Sequence, residues 1–264
     1  MAVLPPGTLL QLMYLQRRLR DLPLGRFVEI GPGSGEITQL LLDNGWTGCS
    51  YDLEPATVAR LRERFSNEMT QQRFTAINDD YLSPEEDVAP ESADLIISCM
   101  VMEHLEDDAQ NKFMQTSAAR LKPGGIMIGL VPSSPAHWGI EDVIAGHCRR
   151  YTRSSIKSLA ADNHWKLLHL AGLTFPISNL LLPVSNLLVK RSEHSKLELS
   201  ALERTRQSGK RKVKFKTEFP ATLGILLNRF TMFPLYLLQN LCTRSESALV
   251  LYFEAQPDYG ARGK

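Results

Sequence analysis

The sequence has no uninterrupted run of 18 apolar residues, so it offers no plain membrane-spanning helix. Its opening residues, Met1 to Gly7, hold neither the basic stretch nor the apolar core of a secretion signal. No such signal is expected, and a cytoplasmic location is. Cysteine is scarce: Cys49, Cys99, Cys148 and Cys242 show no metal-ligand spacing, so reduced thiols and no metal are expected. An excess of one charge is missing too. Thirty Lys and Arg oppose 29 Asp and Glu, a net charge of +1, so no global field points to nucleic acid. There is no internal repeat. What remains is an ordinary globular composition, 43% hydrophobic and 22% charged. The length suits one large α/β domain, alone or with an insertion.

The chain is organised around Phe27–Thr38, an apolar strand, a turn with glycine at alternate positions (Gly31, Gly33, Gly35), and the start of a helix. Glycines let the backbone turn sharply and let a ligand approach closely. The following helix supplies unpaired N–H groups. The carboxyl end of a first parallel strand is where open α/β sheets bind ligands. An amphipathic helix over residues 8–20 precedes this stretch. After it come a second strand over Gly48–Leu53 and a helix entered at Pro55. Asp52 closes that second strand, where an acid can accept hydrogen bonds from both hydroxyls of a ribose. Glu54 is the second candidate, and a solvated strand-end acid is the plain alternative. A third strand, Phe74–Ile77, leads into Asn78-Asp79-Asp80 and a polar loop over 83–92. The near-continuous apolar run Ala93–Ser98 suits a strand buried on both faces. A helix then ends at Lys122-Pro123-Gly124-Gly125, with a fifth strand over Ile126–Val131. Thr152 caps a helix over Arg153–Asp162, and Trp165–Ala171 reads as a sixth strand.

The stretch E-x-G-x-G-x-G from Glu29, the acids Asp52 and Asp79, the run A-D-L-I-I-S, then M-E-H-L and R-L-K-P-G-G resemble, in order, the motifs of class I S-adenosylmethionine (SAM) dependent methyltransferases. The likeness is to the broad group acting on quinones, polyketides, glycans and lipid-linked intermediates, and runs from Phe27 to about Leu173. It implies a Rossmann-like three-layer sandwich around a mostly parallel seven-stranded sheet with an antiparallel last strand. It also implies SAM as cofactor. Gly31, Gly33 and Gly35 would cradle the methionyl part, Glu29 would help hold its ammonium, and Asp52 with Leu53 would meet the ribose. Asp79, with Asp80 beside it, would accept from the adenine amino group, and Ser98 completes the cofactor set. An NAD-dependent oxidoreductase is the competing enzyme class, since Asp52 suits any ribose. The G-x-G-x-G spacing, the strand-three acid and K-P-G-G argue against it.

For the acceptor, three histidines stand as candidate bases: His147, His104 and His137. Relatives often carry a histidine at the position of His104. The segment D-x4-H-x-R-R-Y-T, from Asp142 to Thr152, resembles one found in relatives acting on glycan or lipid-linked substrates. It nominates Trp138, Asp142, Arg149, Arg150 and Tyr151 for substrate binding. A structural histidine held by Asp142, and arginines paired with surface acids, are the alternatives. Ser98-Cys99-Met100-Val101 is not the N-P-P-Y motif of amide- and adenine-methylating relatives, which argues against nucleic-acid acceptors. The expected reaction is methylation of a hydroxyl or acid oxygen on a small or lipid-linked acceptor. N- or C-methylation of a natural product, or an inactive SAM-binding scaffold at a membrane, are the alternatives.

About 75 residues separate the sixth strand from the last strand candidate, Ala248–Glu254, where this fold has a short hairpin. The expected organisation is thus an N-terminal helix (1–25), a SAM-binding core (26–174), a helical insertion between strands six and seven (175–246), and a closing strand with its tail (247–264). Within the insertion, apolar segments over 175–189 and 219–241 flank a basic run over 190–216. Two readings stand side by side: a lid over the site, or an interfacial hairpin on the inner face of an anionic membrane. The basic run carries one interleaved aromatic, Phe215, a poor platform for stacking bases, so no nucleic-acid partner is expected. The sequence leaves the oligomeric state open.

Overall fold

Strand β1 (Arg26–Ile30) buries every residue but its first, and it sits between β2 (Thr47–Asp52) and β4 (Ala93–Cys99), parallel to both. That position explains its composition, because a parallel strand covered on both faces has no polar side. The computed structural model describes residues 3–83, 92–192 and 219–260. The sheet order is β3-β2-β1-β4-β5-β7-β6, with β3 at Phe74–Asn78, β5 at Leu121–Pro132, β6 at Trp165–Leu173 and β7 at Val250–Pro257. Strand β7 lies between β5 and β6 and runs antiparallel to both, and the rest run parallel. This is the Rossmann-like sheet the motifs imply. The strand order reverses between β1 and β4, which makes their carboxyl ends the switch point where such sheets take ligands.

The chain divides into two compact units. One comprises Pro23–Val131, Arg153–Leu170 and Tyr252–Lys264, and holds most of the sheet. Its connecting helices are α2 (Glu36–Asp43), α3 (Pro55–Arg64), α4 (Ser66–Thr70), α5 (Asp107–Arg120) and α7 (Arg153–Asp162). Phe27, Phe65 and Phe74 form an aromatic cluster in its core, with ring centroids 6.3 and 5.3 Å apart. The Arg120 guanidinium lies 4.2 Å from the Tyr81 ring centre and 5.2 Å from that of Tyr51, so the buried cation rests on aromatic faces.

The Lys122–Gly125 turn differs from its expectation. It does not end a helix but opens β5, which begins at Leu121. Ala93 pairs with Leu121 and Leu95 with Ile126, so the intervening residues bulge out of the ladder. Gly124, at φ +87°, supplies the left-handed step. Lys122 Nζ pairs with the Asp94 carboxylate at 2.8 Å, and that carboxylate also accepts the Arg26 N–H at 2.7 Å.

The second unit comprises Met1–Leu22, Pro132–Thr152 and Ala171–Leu251. Its helices are α1 (Pro6–Leu19), α6 (Ile140–Ala145), α8 (Ile177–Ser192) and α9 (Phe233–Leu241). Helix α1 packs against α8 and α9, and α6 against α8. Buried Gln239 ties α9 down: its Oε1 accepts the Thr174 N–H at 2.7 Å and its Nε2 donates to the Leu10 carbonyl at 3.4 Å. The apolar segments of the insertion are therefore helical, α8 with Pro183 inside it, and α9 preceded by a 3-10 turn over Ala221–Ile225. Most of the basic run, residues 193–218, lies outside the described residues, as does most of the polar loop after β3. No described helix is long and apolar enough to cross a membrane.

Candidate functional site

The parallel register aligns the cofactor candidates along one edge of the sheet. Ile30 lies opposite both Tyr51 and Ser98, and Asp52 lies opposite Asn78. Gly31, Asp52, Asp79 and Ser98 thus stand at or just beyond the carboxyl ends of four neighbouring strands. The turn is held by backbone bonds: Gly31 N–H donates to the Tyr51 carbonyl at 3.0 Å, and Gly35 N–H to that of Pro32 at 2.8 Å. All three glycines have positive φ, at +67°, +55° and +84°. A Cβ on Gly31 would lie 2.4 Å from Val101 Cγ2, and one on Gly35 would lie 2.8 Å from the Leu61 and Phe65 side chains. A Cβ on Gly33 would meet nothing within 4 Å. The first and third glycines are thus required by the protein's own packing, whereas the second borders open space.

The acids along this edge differ in environment. Glu29 is buried in β1, and its Oε2 accepts a 2.5 Å hydrogen bond from the Thr38 hydroxyl. Burial drives its carboxyl pKa up to about 7; the Thr38 bond opposes the shift and the Asp52 charge adds to it. Asp52 is half-buried, and its Oδ1 accepts the Glu54 N–H at 2.8 Å. Leu53 beside it is 59% exposed, an apolar side chain left at the strand end. Asp79 and Asp80 are half-buried and accept backbone N–H bonds from Asp80 and Leu82. The Ser98 hydroxyl is buried and has no hydrogen-bond partner among the described residues.

Beyond β4, Met100 takes φ +56°, and a 3-10 turn over Met102–His104 follows. His104 is half-buried there, while Glu103 is fully buried. Burial pushes the Cys99 thiol up to about 12, with the Glu103 and Glu29 carboxylates adding to the shift. Two buried acids, Glu103 and Glu29, therefore lie near the end of β4. Glu103 carries no role in the sequence reading. Its only signal there is an acid beside His104 in a buried turn.

Glu29 gives a pH test. Between about pH 4.5 and 7 the folded chain holds a proton that the unfolded chain has released. Stability therefore falls as pH rises through that window, by about 3 kcal/mol in all. Glu29→Gln is expected to flatten this dependence, read as Tm measured between pH 4.5 and 8.

The acceptor candidates gather in the helical unit. Asp142, at the start of α6, is fully buried and holds three donors. Its Oδ1 accepts from His147 Nδ1 at 2.9 Å and Arg150 Nε at 2.8 Å, and its Oδ2 accepts the Gly139 N–H at 2.8 Å. Burial alone would raise its pKa, but the hydrogen bonds from His147 and Arg150, with the Arg150 charge, hold it down at about 2. Asp142 is thus an ionised acceptor, so His147 Nδ1 must be the donor. That fixes the tautomer and leaves Nε2 as the basic nitrogen of the neutral ring.

Arg150 also donates to the Ser133 carbonyl at 3.0 Å, and its side chain is only 7% exposed. It braces the segment from within. Tyr151 is buried, and its backbone bonds to Pro132 and Ser134. Trp138 is 44% exposed, and Arg149 is half-buried. His137 Nδ1 lies 2.8 Å from the Ser134 hydroxyl, a local pairing across a 3-10 turn.

Comparison with known proteins agrees with this architecture. The family model described as a methyltransferase domain matches residues 9–170, more than half of the chain. Among solved structures, phosphoethanolamine N-methyltransferase 2 of Haemonchus contortus, in complex with SAM, superposes with a TM-score of 0.57 at 16% identity. That match covers 94% of this chain and 52% of the other, so the chain spans about half the length of that enzyme. A putative sarcosine dimethylglycine methyltransferase from Galdieria sulphuraria gives 0.55 at 16% identity, covering 95% and 83%. At such identity these likenesses speak for the fold. No curated protein sequence matches the chain significantly.

Proposed function

The chain belongs to the methyltransferase-domain family of class I SAM-dependent enzymes, and from that premise we propose that it methylates an oxygen of a small or lipid-linked acceptor, with His147 as the base. The observation that carries the reading is the buried Asp142 carboxylate fixed on His147 Nδ1 at 2.9 Å. A hydroxyl is a weak nucleophile, and a histidine locked in one tautomer is suited to take its proton. Bound SAM would supply an activated methyl group on a positively charged sulfur. The residues at the strand ends suit it: the glycine turn borders open space at Gly33, and half-buried Asp52 stands at the end of β2. In this reading Gly31–Gly35 and Glu29 hold the methionyl part, Asp52 and Leu53 the ribose, and Asp79 and Asp80 the adenine. Arg149 and Trp138 contact the acceptor, while Arg150 and Tyr151 keep its segment in shape. His104 lines the cofactor end. The apolar parts of the 175–241 insertion bring the enzyme to a lipid-linked acceptor.

The test is incubation with methyl-tritiated SAM and a membrane extract, followed by partition. Label in the organic phase as a base-labile or ether-linked methyl group is the expected result. Methyl groups on nitrogen would retain the family assignment and overturn the oxygen acceptor.

A further inference from the structure

The segment from Ala221 to Leu241 displays apolar side chains outward from a scaffold built to hold them there. Phe230 is 92% exposed, Ile225 78%, and Leu241 84%. Phe233, Leu237 and Leu241 stand at i, i+4 and i+8, an apolar stripe on α9 opposite buried Tyr236 and Gln239. The loop before α9 is rigidly organised. Asn228 Nδ2 donates to the Ile225 carbonyl at 2.7 Å, and its Oδ1 accepts the Phe230 and Thr231 N–H groups at 2.9 and 3.2 Å. Thr231 Oγ1 donates to the Leu226 carbonyl at 2.6 Å. A turn tied this tightly does not leave a phenylalanine in water by slackness.

Charge narrows the partner. Neither 175–192 nor 219–245 contains an Asp or Glu, while Lys190, Arg191, Arg229 and Arg244 lie in them, all exposed. Arg229 adjoins Phe230, and its guanidinium bonds to Gln16 on α1. A second copy docked two-fold on this surface would bring two patches that carry positive charge and no acid face to face. We propose that Ala221–Leu241 is an interfacial anchor that seats Phe230 and the α9 stripe at the headgroup–acyl boundary of an anionic bilayer, with Arg229 on lipid phosphates. This rests on the proposed function only in that a bilayer is where a lipid-linked acceptor resides; lipid binding itself needs no methyl transfer.

The full chain is floated with vesicles of pure phosphatidylcholine, and with vesicles of equal parts phosphatidylcholine and phosphatidylglycerol. Selective binding to the anionic vesicles is expected. Phe230→Ser with Leu237→Ser should weaken it at least tenfold, and Arg229→Gln about fivefold. SAM affinity and circular dichroism, which a folding defect would alter, should not change. Absence of flotation in the wild type, or full flotation of the double variant, overturns the proposal. So does a concentration-dependent dimer abolished by the same substitutions, which would assign the surface to a second copy. Flotation without methylated lipid leaves the anchor standing and removes the lipid-linked acceptor; methylated lipid without flotation does the reverse.

Discussion

Replacing His147 by asparagine is expected to lower kcat by a factor of about 10² to 10⁴ while leaving SAM affinity and Tm nearly unchanged. Asp142→Ala should be worse in both respects. Beyond releasing His147, it strands the Arg150 guanidinium, 7% exposed, without its counter-charge. Removing one partner of such a pair costs about 3–5 kcal/mol, or roughly 10 °C in Tm for a chain of this size. Asp142→Asn separates the two effects. Its single carbonyl oxygen can still accept from His147 and Arg150, but its amide nitrogen then faces the Gly139 N–H, donor against donor. The cost is about 1–3 kcal/mol, with Arg150 still hydrogen-bonded. The sign with pH is opposite to that of Glu29. Asp142 is held at about 2, below its ordinary 3.8, so its contribution is present above pH 4 and lost as pH falls toward 2. If His147→Asn retains full activity, the pair is structural and the base lies elsewhere.

What the sequence revealed, and what it hid, follows from the range of the interactions. The glycine turn, the acid closing β2 and the apolar β4 are local patterns, and the parallel register then aligned Gly31, Asp52, Asp79 and Ser98 without further information. The Lys122–Gly125 bulge was not legible. It depends on Asp94, 28 residues away, and on its pairing with Lys122. Glu103 was passed over because an acid among methionines gives no hint that it will be buried. Asp142 was nominated as a substrate ligand beside His147. Its hold on Arg150 and on the Gly139 backbone emerges only when α6 turns the segment on itself. The insertion's helices were readable as apolar, but which side α9 buries is set by Gln239 reaching Leu10 and Thr174.

Asp52→Ala is expected to weaken SAM binding by about a hundredfold or more by calorimetry. Two hydrogen bonds from a ribose to an ionised carboxylate contribute roughly 1.5–3 kcal/mol each, and alanine removes both. Alanine also releases the Glu54 N–H, which Asp52 Oδ1 accepts at 2.8 Å, so part of its effect belongs to the turn. Asp52→Asn keeps that acceptor and the shape while losing the charge; an affinity loss of about tenfold or more with unchanged Tm would assign the effect to the ribose. The same variant carries an internal check. The Asp52 charge helps hold the Glu29 pKa up at about 7, so neutralising it should move the pH dependence of stability toward lower pH. Gly33→Ala tests the other side of the cradle. At φ +55° an alanine costs about 1–2 kcal/mol, yet its Cβ meets no protein atom within 4 Å. A folded variant that no longer binds SAM would show that the open space beside Gly33 is the cofactor's. A folded variant that binds normally would reduce Gly33 to a turn residue and move the methionyl part away from it.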